Sequence, residues 1–453
     1  MTPAGPLVTN PGAPIGAGLS RGEAWALAFT ATLTMAVSYA DRQTLAVLAP
    51  TVTKELGLSE AQYGWLISAF SLAYLIGAPL AGMLIDRIGA RRGLLGAVLV
   101  WSLVAGLHAI VPGFGVLFAL RIALGLAEAP SLPGAAQTVQ RALPPADRAR
   151  GFGVLFTGGS IGAMLAPPLA VAMEKRWGFR LAFLGTAAVG LLWIPVWLGV
   201  AFRPRARRAL DRAVGMAVAA VGPVGGARGA GEAQRAPSGL ELLLHPAVLR
   251  TVTVVIASSP MMAFLLNWGS KYLVHDHGLT QSEVGGYLIF PPLSMDVGAI
   301  LFGHLASVRA KRLKDGSPPR ALLVAAGALC AMGAASPLGG GPVGAIALAS
   351  AGMAGGGALA TLITADMLAR VHPGAVSTAG GIATAAQALS YLVAGPLIGR
   401  ALGNGAGYPA VLAALGLWVL PGCAAWLLWK PPPPIEETEA PGELLAAEGS
   451  PAP

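Results

Sequence analysis

About twelve times along this chain a run of roughly 18 to 25 apolar residues recurs, the length a helix needs to cross about 30 Å of hydrocarbon. The runs lie near 24–45, 62–84, 93–112, 115–139, 150–172 and 180–201, then near 250–273, 284–306, 320–336, 342–366, 376–401 and 408–429. Hydrocarbon offers no partner to a backbone amide, so segments of this length must satisfy their own hydrogen bonds as helices. The expected fold class is therefore an all-α polytopic membrane protein of twelve transmembrane helices in two six-helix bundles. Only 11% of residues are charged and 55% are hydrophobic, against about a quarter charged in soluble domains. Many of the 62 glycines and 36 prolines fall inside the apolar runs, where they read as close-packing and kink positions, not as disorder.

Basic residues test this reading, because short cytoplasmic loops retain Lys and Arg while translocated ones do not. With both termini inside, 22 of the 30 basic residues fall on the cytoplasmic side and six outside, with Arg42 and Arg121 left within spans. The layout that follows is a cytoplasmic N-terminal tail over 1–23, a first six-helix bundle over 24–202, a cytoplasmic linker over 203–248, a second bundle over 249–430 and a disordered acidic tail over 431–453. The linker is rich in Arg, Ala and Gly without a sustained apolar period, and has room for a short surface helix. Met1 to Gly22 lacks the apolar core of a cleavable leader, so the first span is expected to stay in the membrane. Two bundles joined by a central basic loop place a binding site at the midplane between them and imply alternating access by rocking.

Other function classes lose support on the same grounds. The net charge of +9 is spread between apolar spans instead of gathered on a soluble module, so no nucleic-acid partner is expected. Cys330 and Cys423 lie in apolar stretches, and His108 and His304 stand alone, so neither a disulfide framework nor a metal site is indicated. No phosphate-binding loop, nucleophile elbow or paired-histidine metalloprotease pattern is present. No enzyme activity and no cofactor are expected.

A charge inside a membrane span costs roughly 2.5–3.5 kcal/mol on insertion scales, so each one is a functional candidate. They are Asp41 and Arg42 in span 1, Arg121 and Glu128 in span 4, Asp296 in span 8 and Asp366 near the end of span 10. Arg121 and Glu128 are seven positions apart, two helical turns on nearly one face, so both can line one cavity. Arginine keeps its proton and offers a planar fork of donors, so Arg42 and Arg121 suit a carboxylate held two-pronged. Glu128 can load and release a proton in a poorly solvated cavity, or it can form a static pair with an arginine. Arg42 can serve substrate or be neutralised by its neighbour Asp41.

Three further groups have both a functional and an ordinary reading. The segment Gly82-Met-Leu-Ile-Asp86-Arg87-Ile-Gly89-Ala-Arg91-Arg92 after span 2 is either a conformational latch or a plain cluster of topogenic charge. The matching place after span 8, Gly303 to Arg312, has Ser307 where an acid is expected, so the halves are unequal. Asn267, Trp268, Lys271 and Tyr272 in span 7 read as interfacial anchors or as substrate contacts. Gln387 in span 11 can bond substrate hydroxyls or join two helices.

The Gly82 to Arg92 segment, placed between spans 2 and 3, resembles the loop signature of the major facilitator superfamily. Within it the chain is similar to the anion:cation symporters, which include hexuronate and galactonate carriers and, more distantly, sialin and the vesicular glutamate transporters. The residues that carry this are Tyr39-Ala-Asp41-Arg42, Arg121-Ile-Ala-Leu-Gly125-Leu-Ala-Glu128-Ala-Pro130-Ser-Leu-Pro133, Gly178-Phe-Arg180-Leu-Ala-Phe183, Lys271-Tyr272-Leu273 and Pro291-Pro292-Leu-Ser-Met-Asp296-Val-Gly298. Ser38 stands where the family commonly has Asn, and Phe179 where it has Trp. The resemblance implies Arg42 and Arg121 as anion contacts, with Tyr39 beside them, Glu128 as the proton-coupling acid, and Asp41 as a second coupling or pairing acid. The expected function is proton-coupled symport of a sugar acid or similar carboxylate by a monomer in the lipid bilayer of a bacterial inner membrane, with sodium as the other coupling ion in view. The alternative is an exporter or exchanger of amphipathic compounds or anions. Span 5, Gly158-Gly-Ser-Ile-Gly162-Ala-Met-Leu-Ala-Pro167-Pro168, lacks the Gly-Pro pattern of proton-coupled drug exporters. A sensor or scaffold lacks an output domain of sufficient size in the linker and tail.

Overall fold

The computed structural model describes residues 18–211, 239–313, 318–371 and 376–433. The expectations for most of the N-terminal tail, the centre of the linker and the end of the acidic tail lie outside the described residues. Among the described residues the secondary structure is helical, with no strand. Ten helices are long and apolar enough to cross a membrane. One of these, Arg150–Ala201, has 52 residues and at 1.5 Å per residue is about 78 Å long, more than twice the hydrocarbon thickness. It is broken at Gly178 (φ 80, ψ 166), a backbone region that L side chains rarely adopt, and so supplies spans 5 and 6. The remaining span, Arg21–Val47, carries Asp41 and Arg42 and is not among these ten. Twelve spans result among the described residues.

Span 1 is Arg21–Val47, opened by a capping box in which Ser20 accepts from the Glu23 amide and Glu23 accepts from the Ser20 amide. Span 2 is Glu60–Ile88, opened the same way by Ser59 and Gln62. Span 3 is Ala90–Leu107; span 4 is Phe114–Glu128 continued by Ser131–Ala142. In the second half, span 7 is Pro246–Asn267 with Gly269–His277, and span 8 is Gln281–Tyr287 with Phe290–Leu313. Span 9 is Arg320–Ala331 with a 3-10 stretch over Met332–Leu338, span 10 is Pro342–Leu368, span 11 is Val376–Gly403, and span 12 is Tyr408–Leu417 with Val419–Leu428.

Burial is inverted relative to a water-soluble protein. Phe29, Leu33, Leu72, Ile76, Leu80, Phe156, Leu165 and Leu192 are exposed, while Ser38, Asp41, Arg121 and Glu128 are buried. A helix bundle in lipid has this pattern, since the lipid tails are as apolar as the core and the charges need one another. Span 1 and span 5 approach to backbone contact: a Cβ at Gly162 would sit 2.2 Å from the Ala36 carbonyl oxygen, and one at Gly158 would sit 2.4 Å from that of Thr32.

The two halves meet at one end. We call the end bearing the connections between spans 1 and 2 and between spans 7 and 8 the far end; the opposite end carries the linker. At the far end Tyr63 Oη donates to the Asn267 carbonyl (2.6 Å), Ser270 and Gln281 donate to the Val47 carbonyl (2.7 and 2.6 Å), and Lys271 Nζ lies 2.6 Å from both Glu60 carboxylate oxygens. Spans 2 and 11 cross there, with Ser68 donating to the Leu392 carbonyl (2.6 Å) and a Cβ at Gly64 falling 2.3 Å from the Gly395 carbonyl oxygen. Towards mid-depth Ser160 donates to Asp296 (2.7 Å). Among the described residues no hydrogen bond joins the halves at the linker end.

Candidate substrate site

Spans 1, 2 and 4 build a charged cluster inside the first half. Ser38, Tyr39, Asp41 and Arg42 come from span 1, Phe70 and Tyr74 from span 2, and Arg121 and Glu128 from span 4. Glu128 is fully buried, and its Oε2 accepts from both Arg42 Nε and Ser38 Oγ, each at 2.7 Å. The Arg42 guanidinium lies 4.4 Å from the Tyr74 ring centre and 4.9 Å from those of Tyr39 and Phe70. Phe70 and Tyr74, four positions apart on one helix face, stack at 6.0 Å and form the platform. Such a ring cage fixes a guanidinium in place through its planar faces.

Arg121 stands differently. It is 4% exposed, lies over Phe70 at 4.7 Å, and makes no ion pair or hydrogen bond among the described residues. The two arginines thus flank a single ring, one paired with a carboxylate and one not. Asp41 is also 4% exposed, and neither of its carboxylate oxygens has a hydrogen bond of normal geometry among the described residues. Adjacent residues on a helix point about 100° apart, and the partner of Arg42 is Glu128 and not its neighbour Asp41, which itself lies within electrostatic range of Glu128.

The other sequence candidates are distributed more widely. Lys271 is engaged by Glu60 at the far end, and Tyr272 packs against Tyr408 and His277. Asn267 donates to the Ala263 carbonyl and accepts from Tyr63 through its own carbonyl. Gln387 is half-buried with no hydrogen bond among the described residues, one turn before Tyr391, which lies within electrostatic range of Tyr39. Asp366 is held by Arg250 (2.6 Å) and Arg370 (3.0 Å) near the linker end of the second half, with Arg250 stacked on Trp426 at 3.4 Å. Arg250, counted among loop charges by its position, is in fact buried inside span 7.

In the Gly82 to Arg92 segment, Gly89 (φ 82) makes the sharp turn between spans 2 and 3. Asp86 accepts from Gln137 (2.9 Å), and Gln137 in turn accepts from the Ala90 amide (2.9 Å). Arg91 is buried and grips Asp211, just past span 6, through two bonds of 3.1 and 2.6 Å. Arg87 and Arg92 are exposed, and no atom lies within 4 Å of a Cβ built at Gly82. The segment therefore ties the first half together here, and among the described residues no hydrogen bond or ion pair joins it to the second half. The Gly178 motif has a comparable internal role: Arg180 donates to the Ala109 and Val111 carbonyls (2.9 and 3.1 Å), fastening the 5–6 turn to the 3–4 turn.

Sequence reasoning missed Glu60, Phe70, Tyr74, Ser160 and Arg250. Only the Phe70 and Tyr74 pair, aromatic at i and i+4 within span 2, left a sequence signal that could have found it.

Comparison with known proteins accords with this geometry. The chain is 27% identical over 434 residues to the hexuronate transporter of Escherichia coli (strain K12), covering 92% of this chain and 96% of that one. It is 28% identical over 314 residues to the galacturonate transporter of Dickeya chrysanthemi, covering 69% of this chain and 90% of the relative. In fold it is similar to a bacterial homolog of the human lysosomal transporter Spinster, solved inward-facing and unoccupied, with TM-score 0.70 and 17% identity over 90% of this chain and 97% of that one. The family model of the Major Facilitator Superfamily matches residues 31–395, which takes in both halves and the whole charged cluster. With two six-span halves closed at one end around buried intramembrane charges, this chain is a multi-pass membrane protein and a transporter that belongs to the Major Facilitator Superfamily.

Proposed function

We propose that this protein takes up a monoanionic sugar acid of the hexuronate or aldonate type together with a proton. The observation that carries the reading is Arg121, a buried guanidinium with no ion-pair contact or hydrogen bond among the described residues, lying over the same Phe70 ring as a second arginine whose carboxylate partner is titratable. A buried guanidinium whose donors have no acceptor is expensive, and a bound carboxylate offsets that cost by supplying the acceptor for its fork. The cluster holds Arg42, Arg121, Asp41 and Glu128, so it is balanced when both acids are ionised. One proton on Glu128 or Asp41 leaves a net positive charge that a single substrate carboxylate restores to neutrality. Proton and anion thus enter and leave as a pair, which is symport.

Tyr39, Gln387 and Asn267 are the polar side chains we assign to the sugar hydroxyls, and the 1–248 and 249–453 parts are the rocking units. The positive-inside count assigns the linker end, with both termini, to the cytoplasmic face of a bacterial inner membrane. The structure described here is then the inward-open state. In the opposite state span 11 swings toward Gly82, where there is open space for it, and the Asp86 to Arg92 charges meet the second half. The similarity to hexuronate and galacturonate transporters supports the substrate class.

The test is uptake of labelled galacturonate into proteoliposomes under an imposed inward proton gradient. Wild type should accumulate it, Arg121→Ala should lose both binding and uptake, and Glu128→Gln should still exchange substrate but no longer concentrate it against the gradient. A wild type that moves no sugar acid in any gradient would falsify the proposal and leave export of other compounds in its place.

A further inference from the structure

Asp296 has no part in the cluster just described, yet it is a carboxylate near the midpoint of the 33-residue span Gln281–Leu313. It is partly exposed. A charge at that depth facing lipid is strongly disfavoured, so its exposed side faces the cleft between the halves. Its Oδ1 accepts from Ser160 on span 5 at 2.7 Å, and its second oxygen accepts nothing among the described residues. Ser160 follows Gly159, whose missing side chain makes room for the Tyr39 ring: a Cβ there would lie 3.0 Å from it. Tyr39 in turn lies against Arg42. One continuous wall, Asp296–Ser160–Gly159–Tyr39–Arg42, therefore runs from an anionic group on the second half to the cationic cluster on the first.

We infer that Asp296 is the specificity-determining residue that restricts this transporter to monoacids and excludes diacids of the same carbon chain. The inference rests on the sugar-acid reading above and deepens it. A cleft that is cationic at one wall and anionic at the other orients its cargo: the carboxylate goes to Arg121, and the opposite end meets Asp296. An ionised carboxylate accepts hydrogen bonds and donates none. A hydroxyl-bearing end donates to its open oxygen, whereas a second carboxylate meets like charge and has no proton to offer. Like-charge juxtaposition is a strong device for rejecting a wrong partner. The donor from Ser160 holds the Asp296 carboxylate in position and keeps one oxygen occupied, leaving one for substrate.

The experiment is competition against labelled galacturonate counterflow by galactonate, a monoacid, and by galactarate, the diacid of the same skeleton. On wild type, galactonate should compete about tenfold or more better than galactarate. Asp296→Asn removes the charge at constant shape and should narrow that ratio several-fold, chiefly through tighter galactarate, while Asp296→Glu should keep the exclusion. Equal competition by the two acids on wild type overturns the inference without any variant, so a poorly folded Asp296→Asn protein does not leave it undecided. An unchanged ratio in an Asp296→Asn protein that still exchanges galacturonate also overturns it while leaving the sugar-acid reading intact. If wild type exchanges no sugar acid, both fall together.

Discussion

At the scale of single residues, the difference between the two arginines is the informative feature. Arg42 is neutralised and boxed in by Tyr39, Phe70 and Tyr74, whereas Arg121 has one aromatic face and no partner. Arg121→Lys keeps the charge but replaces a flat, two-pronged guanidinium with a hydrated point charge that cannot lie on Phe70 in the same way. The Km for galacturonate exchange should rise about tenfold, equivalent to roughly 1.4 kcal/mol, with thermal stability unchanged; equal Km values for the two proteins would remove Arg121 from the site. Most of the charges in the membrane were legible in the sequence, because Asp41, Arg42, Arg121, Glu128, Asp296 and Asp366 stand out from an apolar background; Arg250, at the edge of its apolar run, was not. Who pairs with whom was not. Glu128 is 90 positions from Ser38 and Lys271 is 211 from Glu60, and no local period connects such pairs. Glu60 itself looks like an ordinary first-turn acid opposite the helix dipole, so nothing in its surroundings marks it as half of an ion pair.

At the scale of elements, the span count followed from hydrophobic length alone, since a helix must cover the hydrocarbon and little else does. Closeness of approach could not be read that way. Glycine occurs throughout the spans, and only the packed structure separates those that admit a neighbouring backbone from those that face open space. Gly162 belongs to the first kind: a side chain there collides with the Ala36 carbonyl, a rigid backbone atom. Overpacking of this sort costs about 1–3 kcal/mol or more, so Gly162→Val should lower the detergent melting temperature by several degrees. It should also push span 1 away from span 5 and disturb Tyr39 and Arg42. Gly96 in span 3 belongs to the second kind, with nothing within 4 Å of a Cβ. Gly96→Ala should melt at or above wild type, because alanine is favoured over glycine in a helix interior by about 1 kcal/mol. Thermal denaturation of the two variants side by side separates the cases; a Gly162→Val protein as stable as Gly96→Ala would mean that the two spans do not touch as described.

At the scale of the whole molecule, the bonds that hold the far end shut must all break for the opposite state to form, so their strength sets the balance between the two. Lys271 and Glu60 are the charged part of that closure, with Lys271 side-chain exposure at 8% and Glu60 at 32%. The pair is half shielded from water, which places it between surface ion pairs worth almost nothing and buried ones whose rupture costs several kcal/mol. Glu60→Gln leaves Lys271 without a counter-charge only when the far end is shut, and weakens that state by roughly 1–2 kcal/mol. A change of 1.4 kcal/mol moves a two-state ratio tenfold, so the far-open population should rise several-fold to tenfold or more. Both native cysteines are buried, and Ser270, 2% exposed and bonded across the closure to Val47, offers a reporter position. In a cysteine-free background carrying Ser270→Cys, an impermeant maleimide added outside intact cells should label the Glu60→Gln protein several-fold faster than its Glu60 parent. Substrate should bind both, but net uptake should fall in the variant, because a carrier that rests far-open has lost the return step. Equal labelling rates would mean that the ion pair contributes nothing to the closure, and that the uncharged hydrogen bonds and the backbone crossing of Gly64 and Gly395 hold it.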